Sequence, residues 1–316
     1  MEQQTTIKRG RVDEIDFLKA VFIVLMIAFH LTLIGNSYPY AKQIVYTFHM
    51  PGFLLISGFL ASTSKQSKAF ARSMWWIFVP YLVMEVGYTV MASMLPIRDH
   101  VAELTLGVIL KNALLTPLGP YWYLHTLIIC STALYVVFHI PSLSDFSRFI
   151  ILGLVLYVLA DGARVISFSN ACYFMAGAVL RRSGVGFLSF FRASALAIVP
   201  IVILWSYPSN LDRATVGGVL IVFLVFCFGL FCYQWVKGQM RRVALHIGRN
   251  SLVLLVFSPI FTVLSKLYQP YLAFDRSGLL FLVVSVIFAL LGCFGMGWAM
   301  DRTGFSRYFF GKRCIN

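Results

Sequence analysis

The sequence predicts an all-α fold, a polytopic bundle of transmembrane helices, and three observations carry that expectation. Hydrophobic residues make up 59% of the 316 positions and charged residues only 12%, with a mean hydropathy of +0.83. Soluble domains run at about 25% charged. The apolar residues also gather in runs, most of them about 17 to 25 residues long, the length a helix needs to cross a bilayer. Finally, the connecting segments collect Lys and Arg on alternate sides, as the positive-inside rule requires of a chain threaded back and forth through a membrane.

Taken in order, the apolar runs predict about ten spans, at roughly 17–35, 43–62, 73–95, 121–139, 149–160, 169–180, 190–206, 215–236, 250–268 and 278–300. The spans at 149–160 and 169–180 are short, and the stretch 104–118 reads as an additional interfacial helix. With the amino terminus inside, the cytoplasmic segments hold Lys8, Arg9, Arg11, Lys65, Lys68, Arg72, Arg148, Arg181, Arg182, Arg192, Lys237, Arg241, Arg242, Arg249, Arg302, Arg307, Lys312 and Arg313. The outer segments hold fewer: Lys42, Arg98, Lys111, Arg164, Arg213, Lys266 and Arg276. Both termini are therefore expected in the cytoplasm, with tails at 1–16 and 301–316 around one membrane domain at 17–300. The polar start MEQQTTIKRGRVDEID has no short apolar stretch ending in a small-residue cleavage site, so the first span is expected to be retained.

Some function classes recede on composition alone. A net charge of +14 would suit nucleic acid, but the basic residues are scattered over short loops, where orientation in lipid accounts for them. No nucleic-acid partner is expected, and membrane lipids are the surrounding medium. Five of the six Cys lie in apolar runs, and none forms a C-x-x-C pair or stands at zinc-finger spacing from a His. No metal site or disulfide framework is expected.

Ionisable residues inside the apolar runs are the main functional signal, because the bilayer interior tolerates few of them. Lys19 and His30 are eleven residues apart on the first span. That interval returns a helix to within about 20° of its starting face and advances it about 16 Å, so the two share one stripe. Lys19 lies where the chain enters, beside Asp16, and His30 lies roughly 19 Å deep, in the outer half. His49 reaches a similar level from the outer side, Glu85 is roughly 18 Å from the inner edge of the third span, and His125 follows the cluster Tyr121, Trp122 and Tyr123.

Singly, each has a plainer reading. A His can serve as interhelical glue, Glu85 can neutralise a neighbouring cation, and Tyr-Trp-Tyr can be an interfacial belt. Pro51 and Gly52 are expected to loosen the second span and line a cavity, or else to be a packing kink with Gly58 allowing close helix approach. Lys65, Lys68 and Arg72, ahead of Trp75 and Trp76, are either orientation charges with interfacial tryptophans or an anion site with an aromatic stacking face.

These residues resemble acyltransferase family 3, a family of integral membrane acyltransferases with about ten helices and an Arg- or Lys-x10-His motif on the first. Lys19 and His30 match that spacing within RVDEIDFLKAVFIVLMIAFH, which also carries Asp16 just before the basic position. HMPGFLLISGF, with His49, Pro51, Ser57 and Gly58, resembles the second-helix signature, and KAFARSMWWIFVPY, with Arg72, Pro80 and Tyr81, the start of the third. YWYL at 121–124 and IGRNSL at 247–252 are fainter echoes. The resemblance runs from about residue 11 to about 300 and rests chiefly on the first 81 residues. Ser258 departs from it, standing where family members often carry a His about seven residues after Asn-Ser-Leu.

The resemblance implies a stand-alone O-acyltransferase of a prokaryotic inner membrane, with acyl-CoA as co-substrate and no permanently bound cofactor. The acyl group, acetyl by default, would pass from the cytoplasmic side to a hydroxyl of a cell-envelope carbohydrate at the outer face. Lys19, Lys68 and Arg72 would hold the CoA phosphates, and His30 would be the general base, since imidazole titrates near neutral pH. An acyl-His intermediate is a second route. Asp16, His49, Ser57, Glu85, Trp122 and His125 would support the site or bind the acceptor, and an oxyanion donor is required but has no candidate in the sequence. The competing readings are a transporter or flippase for a sugar-like or lipid-linked substrate, and a sensor or assembly partner whose polar groups only join helices.

Overall fold

The computed structural model describes residues 11–94 and 100–314, so Lys8, Arg9 and Arg98 of the charge pattern lie outside the described residues. Among the described residues there are helices and no strands. They are α1 (Asp13–His30), α2 (Thr32–Ser37), α3 (Pro39–Leu60), α4 (Ser67–Met94), α5 (Leu106–Leu114), α6 (Trp122–Phe138), α7 (Asp145–Tyr157), α8 (Phe168–Arg182), α9 (Phe187–Phe190), α10 (Ile198–Trp205), α11 (Val216–Tyr233), α12 (Gly238–Arg249), α13 (Ser251–Leu264), α14 (Leu279–Arg302) and α15 (Ser306–Phe309).

Local chemistry sets several of these boundaries. Asp13, Glu14 and Asp16 occupy the first turn of α1, where carboxylates suit the positive end of the helix dipole. The helix stops because Leu31 turns extended, at φ −65° and ψ 116°. Pro39 opens α3 at a position where a missing N–H costs nothing. The hydroxyls of Thr105, Ser144 and Thr215 cap α5, α7 and α11 by accepting backbone N–H bonds from Val108, Ser147 and Gly218.

Most predicted spans correspond to helices within a few residues, but 17–35 is broken at Leu31 and 190–206 is helical only from Ala195, and not all of the helices are equal to the membrane. Among the described residues, five helical stretches are long and apolar enough to cross it, Pro39–Leu60, Ser67–Met94, Leu106–Phe138, Val216–Tyr233 and Leu279–Arg302, and a sixth if the bent run Gly238–Arg249 with Ser251–Leu267 counts as one. The first helix falls outside that set because Asp13, Glu14, Asp16 and Lys19 crowd its first half. Helix α12 was expected as a basic loop. It is an amphipathic helix, with Leu245 and Ile247 buried and Arg241 and Arg242 exposed, and it meets α13 at an angle of 84°.

Helix α3 lies at the centre. It was expected to loosen at Pro51, yet it runs unbroken from Pro39 to Leu60 with Pro51 inside. Both Pro51 and Gly52 are buried, and a Cβ on Gly52 would come within 2.5 Å of the Phe22 ring, so close packing against α1 holds this turn together. Phe22 also meets Phe53 of α3 and Phe226 of α11 edge-on, at 5.9 and 5.6 Å between centroids, joining three helices in one core. Gly58 packs directly on α8, in line with the close-approach reading. On the outside of the bundle, Val283, Ile287 and Leu291 make an exposed apolar stripe along α14, a face suited to lipid chains.

Candidate active site

His30 is the last residue of α1 and His49 lies midway along α3. Each imidazole reaches back one turn along its own helix: His30 Nδ1 lies 2.7 Å from the carbonyl of Met26, and His49 Nδ1 lies 2.7 Å from that of Val45. A carbonyl only accepts, so each Nδ1 carries the proton and each neutral ring keeps its lone pair on Nε2. His49 Nε2 is buried without a partner among the described residues, an arrangement that sites awaiting a ligand tolerate and cores avoid.

Both histidines line a cavity of about 140 Å³ together with Met26, Tyr46, Met50, Pro120, Trp122, Arg213 and Leu255. The ring of Tyr46 lies close to both imidazoles, 5.8 Å from His30 and 5.1 Å from His49. Arg213 approaches from the segment before α11, its guanidinium 5.8 Å from the Trp122 ring and donating to Asn170 Oδ1 at 3.2 Å. A neighbouring open pocket of about 400 Å³ shares Tyr46 and Arg213 with this cavity and adds Lys42, Gln43 and Asp212. The cavity thus pairs two imidazoles with one cation and has a charged approach.

The other expected site residues lie elsewhere. Lys19 is at the far end of α1, its Nζ 2.7 Å from Asp16. Asp16 is buried and also takes Arg11 at 2.5 Å and Arg249 at 3.6 Å, so this carboxylate gathers three cations where α1 crosses α12. Lys68 and Arg72 are exposed on the first turns of α4 and do not line the histidine cavity. Ser57 shares a hydrogen bond of 2.8 Å with Tyr123 and lines a second cavity, of about 250 Å³, with Lys65 and Ser73. That cavity adjoins another, of about 300 Å³, lined by Ser62, Thr63, Ser64, Arg181 and Arg182 at the C-terminal end of α3.

Glu85 and His125 also stay outside the histidine cavity. Glu85 is fully buried and accepts the backbone N–H of Leu118 at 2.6 Å, which pins the segment carrying Pro120 and Trp122 into the cavity wall. His125 donates from Nε2 to the carbonyl of Leu114 at 2.9 Å, with the Tyr81 ring 5.8 Å away. The depth expected for these two did not bring them to His30, because the direction around each helix axis decides which cavity a side chain meets.

Tyr46, Arg213, Asn170 and the apolar floor of Met26, Met50 and Leu255 were not anticipated. Tyr46 stands three residues before His49, on the same helical face, and could have been read from that spacing. Asn170, a lone amide inside an apolar run and 3% exposed, was a signal of the same kind.

Comparison with known proteins adds one match. A family model described as an acyltransferase domain, that of acyltransferase family 3, matches residues 12–298, nearly the whole chain. No curated protein and no solved structure gives a significant match. A match of that length, on a multi-pass helical chain whose first helix ends on a histidine at a polar cavity, places this protein in acyltransferase family 3.

Proposed function

We propose that this membrane acyltransferase moves an acyl group, acetyl in the simplest case, from acyl-CoA supplied on the cytoplasmic side to a hydroxyl of a cell-envelope carbohydrate at the outer face. The observation that carries the reading is the imidazole of His30, whose Nδ1–H is held by Met26, leaving Nε2 as the basic atom, and which lines a cavity with His49. General-base catalysis from such a group contributes about 10²- to 10⁴-fold. The hydroxyl proton passes to Nε2 as the oxygen attacks the thioester, and the imidazolium returns it to the departing thiolate.

The topology that goes with this reading has ten crossings and both termini in the cytoplasm of a prokaryotic inner membrane. It sets the cations at the start of α1 and α4 on the donor side, where Lys19, Lys68 and Arg72 meet the CoA phosphates. Lys42 then flanks the acceptor's approach. His49 and Trp122 contact the acceptor, while Asp16, Ser57, Glu85 and His125 support the site through the helices they join.

Release of free CoA from acetyl-CoA by purified, reconstituted protein, with and without envelope glycan extract, tests this. Wild type is expected to release CoA and a folded His30→Ala variant is expected not to. No release from acetyl-CoA or succinyl-CoA by either protein, with extract present, would overturn acyl transfer and favour the transporter reading.

A further inference from the structure

Attack on a thioester puts negative charge on the carbonyl oxygen, and a cavity holding two neutral imidazoles needs a donor aimed at that charge. Among the described residues, Arg213 is the one cation that lines the cavity with His30 and His49, and it has no carboxylate partner. A guanidinium carries five N–H donors, and a single bond to Asn170 leaves others for a ligand.

The group is also held in place before any substrate arrives. Asn170 is 3% exposed, the Trp122 ring flanks the guanidinium, and the Tyr173 hydroxyl donates to the Arg213 carbonyl at 2.8 Å. The backbone on either side is fixed too. Asp212 Oδ1 accepts from the N–H of Ala214 at 2.8 Å, and a Cβ on Gly218 would fall 2.0 Å from the Asp212 carbonyl oxygen. A donor fixed this firmly does not have to reorganise as charge develops, which is what makes such donors effective. Lys42, by contrast, lines only the outer pocket and stands where an incoming acceptor passes first.

We propose that Arg213 is the oxyanion-stabilising catalytic residue, donating to the thioester carbonyl oxygen in the tetrahedral intermediate; this rests on the acyl-transfer reading above. The acceptor oxygen bonds to the carbonyl carbon, its proton goes to an imidazole Nε2, and the carbonyl electron pair moves onto the oxygen facing Arg213. When that pair returns, the C–S bond breaks, and CoA leaves as a thiol after taking the proton back from the imidazolium.

The test is steady-state CoA release by reconstituted wild type, Arg213→Gln, Arg213→Lys and Arg213→Ala, with acetyl-CoA and envelope glycan extract varied in turn. Arg213→Gln is expected to lower kcat by about 10²- to 10³-fold. Half-saturating levels of acetyl-CoA and extract are expected to stay within about twofold, in keeping with an interaction made only in the transition state. Arg213→Lys, which keeps the cation, is expected to fall between, and millimolar guanidinium to restore part of the Arg213→Ala rate. A raised half-saturation for extract at unchanged kcat would make Arg213 an acceptor anchor and overturn the assignment, as would an Arg213→Gln rate equal to wild type. Wild type without CoA release would overturn acyl transfer itself, a result read before any variant is made.

Discussion

Gly58 of α3 and Gly177 of α8 face one another so closely that neither helix has room for a side chain there. A Cβ on Gly58 would fall 1.9 Å from the carbonyl oxygen of Phe174, and one on Gly177 would fall 2.0 Å from that of Leu55. Both obstacles are backbone, which cannot swing aside. Gly58→Ala and Gly177→Ala are each expected to push α3 and α8 apart at a cost of at least about 1–3 kcal/mol. Thermal melts of detergent-solubilised protein check this, and a melting temperature equal to wild type for both variants would show that the crossing is looser than described.

The carbonyl partners of His30 and His49 fix a tautomer as well as an orientation. Both rings are expected to carry their proton on Nδ1 at neutral pH. Nitrogen-15 NMR of histidine-labelled protein, assigned with His30→Gln and His49→Gln, distinguishes the two ring nitrogens. A proton on Nε2 of His30 would remove its capacity to act as base from that atom.

Glu85 is expected to act on the cavity through its wall. Glu85→Ala leaves the N–H of Leu118 without its acceptor, a loss of about 1–3 kcal/mol, and loosens Pro120 and Trp122. Glu85→Gln keeps an acceptor oxygen and is expected to retain most of the stability and CoA-release activity that Glu85→Ala loses. Equal losses in the two variants would point to a need for the carboxyl group itself.

Asp145 at the start of α7 receives Arg182 of α8 at 2.5 Å and Arg148 at 3.2 Å. The Arg182 hydrogen bond is the largest influence lowering its pKa below the ordinary 3.8, and the nearby charges of Arg182 and Arg148 add to it. A carboxylate with a lowered folded-state pKa contributes stability above about pH 3.8 and loses it as the pH falls through the folded value. The pair is exposed, so Asp145→Asn is expected to cost no more than about 1 kcal/mol at pH 7. In melts of both proteins, that difference should close below pH 3.8; a constant gap would assign the effect to something other than charge.

The stripe from Lys19 to His30 was legible because a helix fixes the relation between residues eleven apart, and α1 runs unbroken between them. The partnership of His30 with His49 was nearly as legible, since both were expected at one depth on successive spans. Arg213 and Asn170 were not, because one sits in a connecting segment and the other inside α8, and only long-range packing brings them together. Glu85 and His125 show the opposite limit. Their places inside α4 and α6 were readable, but their bearing around those helices turns on how the helices pack, which no single-helix pattern encodes. Helix α12 hid behind its charges: three arginines and a His in a short segment look like a loop until one face is seen to be buried.

The right-angled run of α12 and α13 grips α1 at both ends. Gly248 of α12 presses against the Asp16 backbone, where a Cβ would fall 1.7 Å from the carbonyl oxygen, and Leu255 of α13 shares the cavity with His30. The two helices act as a bracket, so α1 cannot piston along its axis without dragging its own brace. The height of His30 is a constant of the frame, and any widening of the cavity to pass a substrate falls to parts outside the bracket.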